Sequence, residues 1–498
     1  MTRLISIMAI SLTLGMGAPA LADDARTPMD LVRAFNDAVS RDDWETAQRQ
    51  GEALLAHDRM ALMPAGYRAD IHHQVAISYA ENGETARAQA HWEQAEALGL
   101  PRHTVLHARF EAALRQNAAD TALQVYAEMD AGFPGQRNSL RLGLLMELVD
   151  LQHDVGRHAE EREALDRIEA RYTPDTPFTT LDEIHYRRIR SLVESGDIDA
   201  AMAVLPAMTS DTGAMRLRTL NLFSPLWQRP EFDRLTDQRR EVLDLLARSG
   251  EQIAAHPDHL GPVIDRMVYL NDLGRREEAS QLATRTWHRI QAGETFEDSG
   301  EQVIWFLDQW GYVEMERGRL AFGRAAFLQA GERSENGGLN VSQLINLAHL
   351  DLAMGDDRAV LDRLESMEGR GASDYGWIQV HFARACAAAA LGEDSVRAVS
   401  EAWVEAHRDV APATHYRMLI CLGRENDAAA ALLDQLADPA LAEDTLMELQ
   451  PRDPRYTHRA FTRYRTDYEM RQRIIARPEI QAAIAPIGRL EYVDLTDG

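Results

Sequence analysis

Three residues near position 107 have the types and spacing of metal ligands. His103, His107 and Glu111 follow one another at intervals of four residues, so a helix would place all three side chains on one face. The same spacing is equally typical of a solvated or groove-facing polar stripe, and the sequence shows no second cluster of ligands to complete a site. We therefore predict no metal site.

Motifs that would carry catalysis are missing. The chain contains no P-loop, GxSxG, HExxH or dinucleotide-binding fingerprint. Its Glu-Ser pairs, Glu194-Ser195 and Glu365-Ser366, are not followed by the GLMQ-like stretch that accompanies the catalytic Glu-Ser of lytic transglycosylases. We predict no catalytic residues and no cofactor. The 79 acidic residues leave one alternative open, a glycan hydrolase or lyase with an unrecognised carboxylate pair.

The segment 452–477 interleaves arginines with aromatic residues, a pattern that could indicate nucleic-acid binding. Its aromatic residues are Tyr456, Phe461, Tyr464 and Tyr468. However, the chain carries a formal net charge of −26, which disfavours nucleic acid and anionic membrane surfaces as partners. The segment is therefore expected to be a capping helix whose arginine stems cover apolar surface, or a docking patch for an acidic partner or for the chain's own acidic surface.

The first 22 residues have the pattern of a secretory signal peptide. Arg3 precedes a nearly unbroken apolar stretch over residues 4–16, and Ala20-Leu21-Ala22 forms a small-x-small cleavage site. The apolar core is too short to span a membrane as a helix, and no later segment is long and apolar enough to do so. We expect an exported chain that is periplasmic or, alternatively, extracellular.

Composition favours helix throughout the remaining chain. Hydrophobic residues make up 45% and charged residues 27%, which is typical of a folded protein. Alanine and leucine are abundant while β-branched residues are sparse, and this balance favours helices over strands.

Residues 72–101 contain the clearest internal repeat. Tyr79, Gly83, Ala88, Trp92 and a closing Pro101 occur here. These types and spacings resemble the tetratricopeptide repeat, whose first helix carries a Leu-Gly pair and a tyrosine and whose second carries alanine, an aromatic residue and alanine. Gly83 would end the first helix in a left-handed conformation, and Ala88 would lie where the two helices cross.

The pattern recurs along the chain with turns mostly 31 to 44 residues apart. The aligned turn positions are Asp42, Gly83, Asn117, Gly156, Gly196, Gly274, Gly318, Gly355, Gly392 and Gly423. One double gap, between Gly196 and Gly274, would hold a unit over residues 220–246 that does not align. The resemblance implies an all-α fold, an α-solenoid of antiparallel helix pairs wound as a right-handed superhelix.

A second-order repeat suggests two halves. Arg229-Pro230-Glu231-Phe232 recurs as Arg477-Pro478-Glu479-Ile480, and each proline could begin a short helix. We therefore predict a signal peptide over 1–22, helical repeats over 23–250, and repeats with capping helices over 251–498.

The resemblance also implies a binding surface. Proteins of this family hold a peptide or helix in a groove lined by first-helix side chains. The corresponding positions in this chain are His73, Gln74, Asp308, Gln309, Tyr312, Asn346, His349 and Arg417. Cys386 and Cys421 fall in consecutive first helices, which lie side by side in such solenoids, so they are disulfide candidates in an oxidising compartment, although two buried free thiols would fit equally.

These expectations define one leading function and two alternatives. The leading one is a non-enzymatic periplasmic scaffold that binds protein or peptide partners in the cell envelope. The first alternative is a component of polysaccharide export or cell-wall assembly, which aromatic platforms at Trp305, Trp310 and Tyr312 would favour. The second is the glycan-acting enzyme, which a deep pocket with two close carboxylates would favour.

Overall fold

A computed structural model describes residues 28–41, 43–133, 142–170, 178–208, 211–334, 340–367, 371–452 and 454–496. The predicted signal peptide and the turn position Asp42 lie outside these residues. The chain divides into two compact units, Met1–Thr176 and Pro177–Gly498, called unit 1 and unit 2 below. Within the described ranges the secondary structure is helical, apart from one isolated antiparallel bridge between Leu220 and Gly488.

Unit 1 consists of helices that pair in sequence order. They are α1 (Pro28–Val39), α2 (Trp44–Leu55), α3 (Ala65–Glu81), α4 (Thr85–Ala97), α5 (Arg102–Arg115), α6 (Ala119–Gly132), α7 (Leu142–Asp154) and α8 (His158–Glu169). Each odd-numbered helix packs on the even-numbered helix that follows it, and α3 also packs on α5, so first helices lie beside first helices.

Unit 2 contains further helix pairs and a set of closing helices. Its helices are α9 (Phe178–Glu194), α10 (Ile198–Val204), α11 (Asp211–Thr219), α12 (Ser224–Trp227), α13 (Phe232–Leu235), α14 (Gln238–Ala255), α15 (Gly261–Asp272), α16 (Arg276–Gln291), α17 (Ser299–Glu316), α18 (Leu320–Gly331), α19 (Val341–Met354), α20 (Asp357–Glu365), α21 (Asp374–Leu391), α22 (Asp394–Ala406), α23 (Pro412–Cys421), α24 (Glu425–Ala437), α25 (Ala442–Leu449), α26 (Thr462–Ile475) and α27 (Pro478–Ile484).

The turn positions that define the repeat have the expected backbone conformation. All nine that lie in the described residues have positive φ, from 52° at Asn117 to 81° at Gly196. The residue five positions later is alanine or glycine in seven of the ten units, where the two helices of a pair cross, and it is Glu161, Val360 or Arg397 in the others. Ala88 is fully buried, and a Cβ on Gly323 would lie only 2.8 Å from the carbonyl oxygen of Gly311 on the partner helix. The predicted helix pairs and all-α fold are confirmed.

The unaligned segment departs from the repeat. Residues 220–246 form the four-residue helices α12 and α13 and the start of α14 instead of a full helix pair. Pro478 begins α27 as predicted, whereas Pro230 lies before α13. Residue 250, where the two predicted repeat regions meet, lies within α14, and Phe232 and Ile480 are buried in one hydrophobic core of unit 2. The division into two repeat regions stays a prediction.

Within unit 2, the helices at the N-terminal end pack against those at the C-terminal end. Their shared core contains Tyr186, Phe223, Leu446 and Ile484. Polar contacts flank this core: Arg190 pairs with Glu443 at 3.2 Å, and the Asn221 side chain donates to the Ala485 carbonyl at 2.7 Å. Residues more than 250 positions apart are therefore held together by apolar burial, with hydrogen bonds setting the register.

Cys386 on α21 and Cys421 on α23 form a disulfide, with their Cα atoms 5.8 Å apart. These are consecutive first helices that pack against each other. Natively isolated protein is expected to contain no free thiol when counted under denaturing conditions. Replacing both cysteines with serine should lower the free energy of unfolding by about 2–4 kcal/mol, because the bond closes a loop of 35 residues. Two reactive thiols in untreated native protein would contradict the bond.

Candidate functional site

The two groove positions predicted in unit 1 contribute little accessible surface. His73 on α3 is only 7% exposed, and Gln74 is half-buried. Burial, together with nearby His107, lowers the pKa of His73 to about 4, so this imidazole is neutral at physiological pH. His73 is therefore part of the packed interior.

Four of the predicted groove positions in unit 2 serve internal packing or stay half-buried. Asp308 on α17 is buried and accepts a hydrogen bond from Asn346 of α19 at 3.0 Å. Tyr312 packs edge-on against Phe327, with ring centroids 4.9 Å apart, and Arg455 lies over its ring at 4.4 Å. Gln309 is half-buried. These first-helix side chains are therefore largely used by neighbouring repeats and by the C-terminal segment.

The other two predicted positions, His349 and Arg417, line a cavity of about 630 Å³ within unit 2. Its lining residues are Thr212, Arg216, His349, Leu352, Ala353, Phe382, Pro412, Ala413, Tyr416, Arg417, Ile420, Leu432, Gln435, Leu441, Asp444, Thr445, Met447, Glu448, Leu449, Arg452, Arg463, Tyr464, Asp467, Tyr468 and Arg471. The first helices α19, α21 and α23 supply one part of the lining, and α24, α25 and α26 supply most of the remainder. The volume is that of a small-molecule site.

The charged lining is predominantly cationic. Five arginines and three carboxylates face this cavity, in a chain whose net charge is −26. Several of the arginines already have partners. Arg216 pairs with Asp444 at 3.1 Å, and Arg463 pairs with Asp357 at 2.8 Å outside the lining.

No ion pair joins Arg417 to a carboxylate of the described residues, although Glu448 and Asp467 of the lining lie near enough to attract its charge. Its guanidinium lies over the Phe382 ring, 5.1 Å from the centroid. The Arg417 side chain is exposed to solvent at the cavity, and it stays cationic at physiological pH. An unpaired guanidinium beside apolar surface is suited to bind an anion.

Two further polar groups of the lining lack partners among the described residues. The Tyr416 hydroxyl is buried without a hydrogen-bond partner, on a residue that is 6% exposed, and burial raises its pKa to about 12. Asp467 on α26 has no ion-pair partner, and burial raises its pKa to about 6 against the opposing influence of Arg463 and Arg417. The cavity brings these polar groups together with Arg417, so it is the candidate binding site.

The C-terminal segment docks on the chain's own acidic side chains. Arg455 pairs with Glu316 at 2.6 Å, Arg463 with Asp357, and Arg477 with Glu425 at 2.7 Å. Of the interpretations of residues 452–477, self-docking is therefore the one that the structure shows. It also positions Tyr464, Asp467, Tyr468 and Arg471 of α26 along the cavity.

The metal candidates do not form a compact buried site. His107 lies 3.8 Å from Glu111, whereas the His103 ring packs against Phe133. A group that sequence spacing could not reveal consists of Asp258, His259 and Glu297, whose ligand atoms lie within 4.8 Å of one another. Glu297 is exposed and the imidazole forms a 3.2 Å ion pair with Asp258, which is ordinary surface chemistry.

The aromatic platform predicted for a glycan is not assembled. Trp305 is 42% exposed, but Trp310 packs against Trp287 and Phe306, and Tyr312 is covered by Arg455. The three rings therefore do not offer one continuous stacking surface in the groove.

Comparison with known proteins gives structural matches only. No family model matches the chain, and no curated protein matches it. Similar solved structures include the APC/C hetero-tetramer Cut9-Hcn1, at 11% identity over 93% of this chain and 96% of that chain, with a TM-score of 0.29. Naa15/Naa10 bound to HypK-THB matches at 11% identity over 92% and 100%, with a TM-score of 0.23. A circular tandem repeat protein matches at 14% identity over 92% and 96%, with a TM-score of 0.13.

Within the described residues, no helix combines the length and apolar character needed to cross a bilayer. The chain's own helix pairs, with their left-handed turn residues and small crossing residues, identify its fold as an all-α solenoid of tetratricopeptide-like repeats.

Proposed function

We propose that this chain is a non-enzymatic scaffold that binds protein or peptide partners in the cell envelope, and that the cavity of unit 2 receives an anionic group of the partner. One observation carries the proposal: Arg417 forms no ion pair with a carboxylate of the described residues, in a lining where arginines outnumber carboxylates. Because the chain as a whole is strongly acidic, this cavity is a local site of opposite charge.

The envelope location rests on the leader-like sequence at residues 1–22. N-terminal sequencing of protein purified from the periplasm tests it. A mature chain that begins at Asp23 would agree with export, whereas a chain that retains Met1 would exclude processing at this site.

In-cell photocrosslinking tests the scaffold role. A photoreactive residue at Leu441, which lines the cavity, is expected to capture the same one or two exported proteins in repeated experiments. The matched control is Val399 on α22, which is 68% exposed and lies outside the lining. Capture should be lost when Arg417→Glu is combined with the Leu441 probe. Equal capture of abundant bystanders at both positions would reject the proposal.

Anion binding in this cavity should depend on pH. Above pH 6 Asp467 is ionised and competes with a bound anion for Arg417 and Arg463, and below pH 6 it is neutral. His349, with a pKa lowered to about 4, stays neutral throughout this range. The dye 8-anilinonaphthalene-1-sulfonate, which remains anionic, should therefore bind about five-fold more tightly at pH 5.5 than at pH 7.5.

The Asp467→Asn variant provides the control for this measurement. It should bind the dye as tightly at pH 7.5 as the unmodified chain binds it at pH 5.5, and its affinity should no longer change across the range. A pH dependence that persists in this variant would assign the effect to another group.

One observation favours a second candidate, a glycan-acting enzyme. Asp444, Glu448 and Asp467 line the same cavity, and a carboxyl whose pKa is raised to about 6 resembles a general acid. Turnover of soluble peptidoglycan fragments that disappears in Asp467→Asn would support the enzyme over the scaffold. Absence of turnover with retained dye binding would support the scaffold.

A further inference from the structure

The cavity of unit 2 has an apolar interior beside its cationic groups. Ten of its lining residues have apolar side chains. They belong to first helices, to α24, and to α25 with the residue before it. They are Leu352, Ala353, Phe382, Pro412, Ala413, Ile420, Leu432, Leu441, Met447 and Leu449. A ligand that contributed only charge would leave this surface in contact with water, so the lining favours a ligand with an apolar body.

The polar groups of the lining specify the head of such a ligand. Arg417 offers an unpaired guanidinium, and the adjacent Tyr416 offers a buried hydroxyl that has no hydrogen-bond partner in the described structure. Both groups donate hydrogen bonds, and a carboxylate accepts them. Tyr416 and Arg417 follow each other on α23, and both line the cavity.

The size of the cavity limits the ligand. About 630 Å³ is the volume of a small-molecule pocket, and it cannot enclose a long peptide segment. The C-terminal segment also closes part of its perimeter, because Tyr468 donates a hydrogen bond to the Arg452 carbonyl at 3.0 Å.

We infer that the cavity binds a single small amphipathic carboxylate, with its acid group at Tyr416 and Arg417 and an acyl or aryl body against the apolar lining. This inference rests on the proposed binding role of the cavity and names the chemistry of its occupant. The acid is either free or attached to a partner protein, and the two sources present the same head and body.

Calorimetric titration of the full chain with dodecanoate, below its critical micelle concentration, tests the inference. We expect one saturable site, with an affinity at least ten-fold higher than that for dodecanol, which keeps the body and lacks the charge. Acetate, which keeps the head only, should not compete. Equal affinity for dodecanoate and dodecanol would overturn the inference.

Two variants and one control locate the head group. Tyr416→Phe should weaken dodecanoate binding about ten-fold and Arg417→Gln about thirty-fold or more, since each removes a donor to the carboxylate. Arg408→Gln, an exposed arginine outside the lining, should leave the affinity unchanged. Unchanged affinity in Arg417→Gln would overturn the inference.

The Tyr416→Phe variant also separates binding from folding. Its hydroxyl has no hydrogen-bond partner among the described residues, so removing it should leave the thermal midpoint of the unliganded chain unchanged or slightly higher. Weaker binding together with equal or higher stability would support a ligand contact. A lower thermal midpoint would assign the hydroxyl to the fold and count against the inference.

Further ligands distinguish a free acid from an acid attached to a partner protein. They also distinguish this inference from the proposed scaffold role. An acetylated, amidated tetraglutamate peptide has the charge without the apolar body, and tighter binding of this peptide than of dodecanoate would overturn the inference. A peptide acylated with one carboxyl group of dodecanedioate keeps a free carboxylate at the far end of its acyl chain, and if it binds as well as dodecanoate this would indicate an attached source. Failure of dodecanoate to bind while Leu441 still captures a partner would reject this inference and retain the scaffold.

Discussion

Replacing Asp351 with alanine is expected to lower the free energy of unfolding by about 3–5 kcal/mol. Asp351 on α19 is fully buried and pairs with Arg324 of α18 at 2.6 Å and with Arg363 of α20 at 2.9 Å. Its removal would leave two partly buried guanidinium groups without their shared counter-ion. Because these three helices belong to neighbouring repeats, the loss should loosen the stack around α19.

Urea unfolding followed by circular dichroism measures this effect. Asp362→Ala on α20 is the matched control, because Asp362 is exposed and lies outside the ion pairs around α19. Its unfolding midpoint should stay within the range of ordinary surface substitutions. Similar midpoints for the two variants would mean that the buried carboxylate contributes no more than a surface charge.

Replacing Gly488 with alanine is expected to destabilise unit 2 by about 3 kcal/mol. A Cβ at this position would overlap the carbonyl oxygen of Thr219 and lie 2.7 Å from Leu446 Cδ2. The backbone is fixed here because the Arg489 amide donates to the same carbonyl at 2.8 Å. The added methyl group can be accommodated only if the C-terminal tail moves away from the end of α11.

Limited proteolysis provides a readout that is specific for this tail. Gly488→Ala should expose residues 488–496 to cleavage and lower the urea midpoint. Gly300→Ala is the control, because Gly300 lies exposed on α17 and an added Cβ there meets nothing within 4 Å. A tail that stays protected in Gly488→Ala would show that the close approach to Thr219 is not needed.

Local features of the fold followed directly from the sequence. The turn residues could be aligned because a helix pair joined by a tight turn requires one residue with positive φ, which glycine and asparagine adopt at low cost. Asn117 illustrates this, since it was aligned by type and position and has φ of 52°. The division at residue 250 stays a prediction, because a four-residue recurrence carries no information on long-range packing.

The candidate site was only partly predictable. His349 and Arg417 were identified through their first-helix positions, and both line the cavity. Asp308 and Tyr312 were identified by the same rule, yet Asn346 donates a hydrogen bond to Asp308 and Arg455 covers the Tyr312 ring. First-helix position predicts which face a side chain lies on, but it does not predict whether another part of the chain covers that face.

The helix pairs, their turns and most of their small crossing residues can be predicted from the sequence alone, because these depend on backbone conformation and on neighbours within one repeat. Tertiary structure decided the cavity and its charge. Its lining extends from Thr212 to Arg471, and the docking of residues 452–477 pairs Arg463 with Asp357 and brings Asp467 and Arg471 of α26 to the cavity. Ion-pair partners are chosen by distance in the folded chain, and spacing along the sequence does not encode that distance.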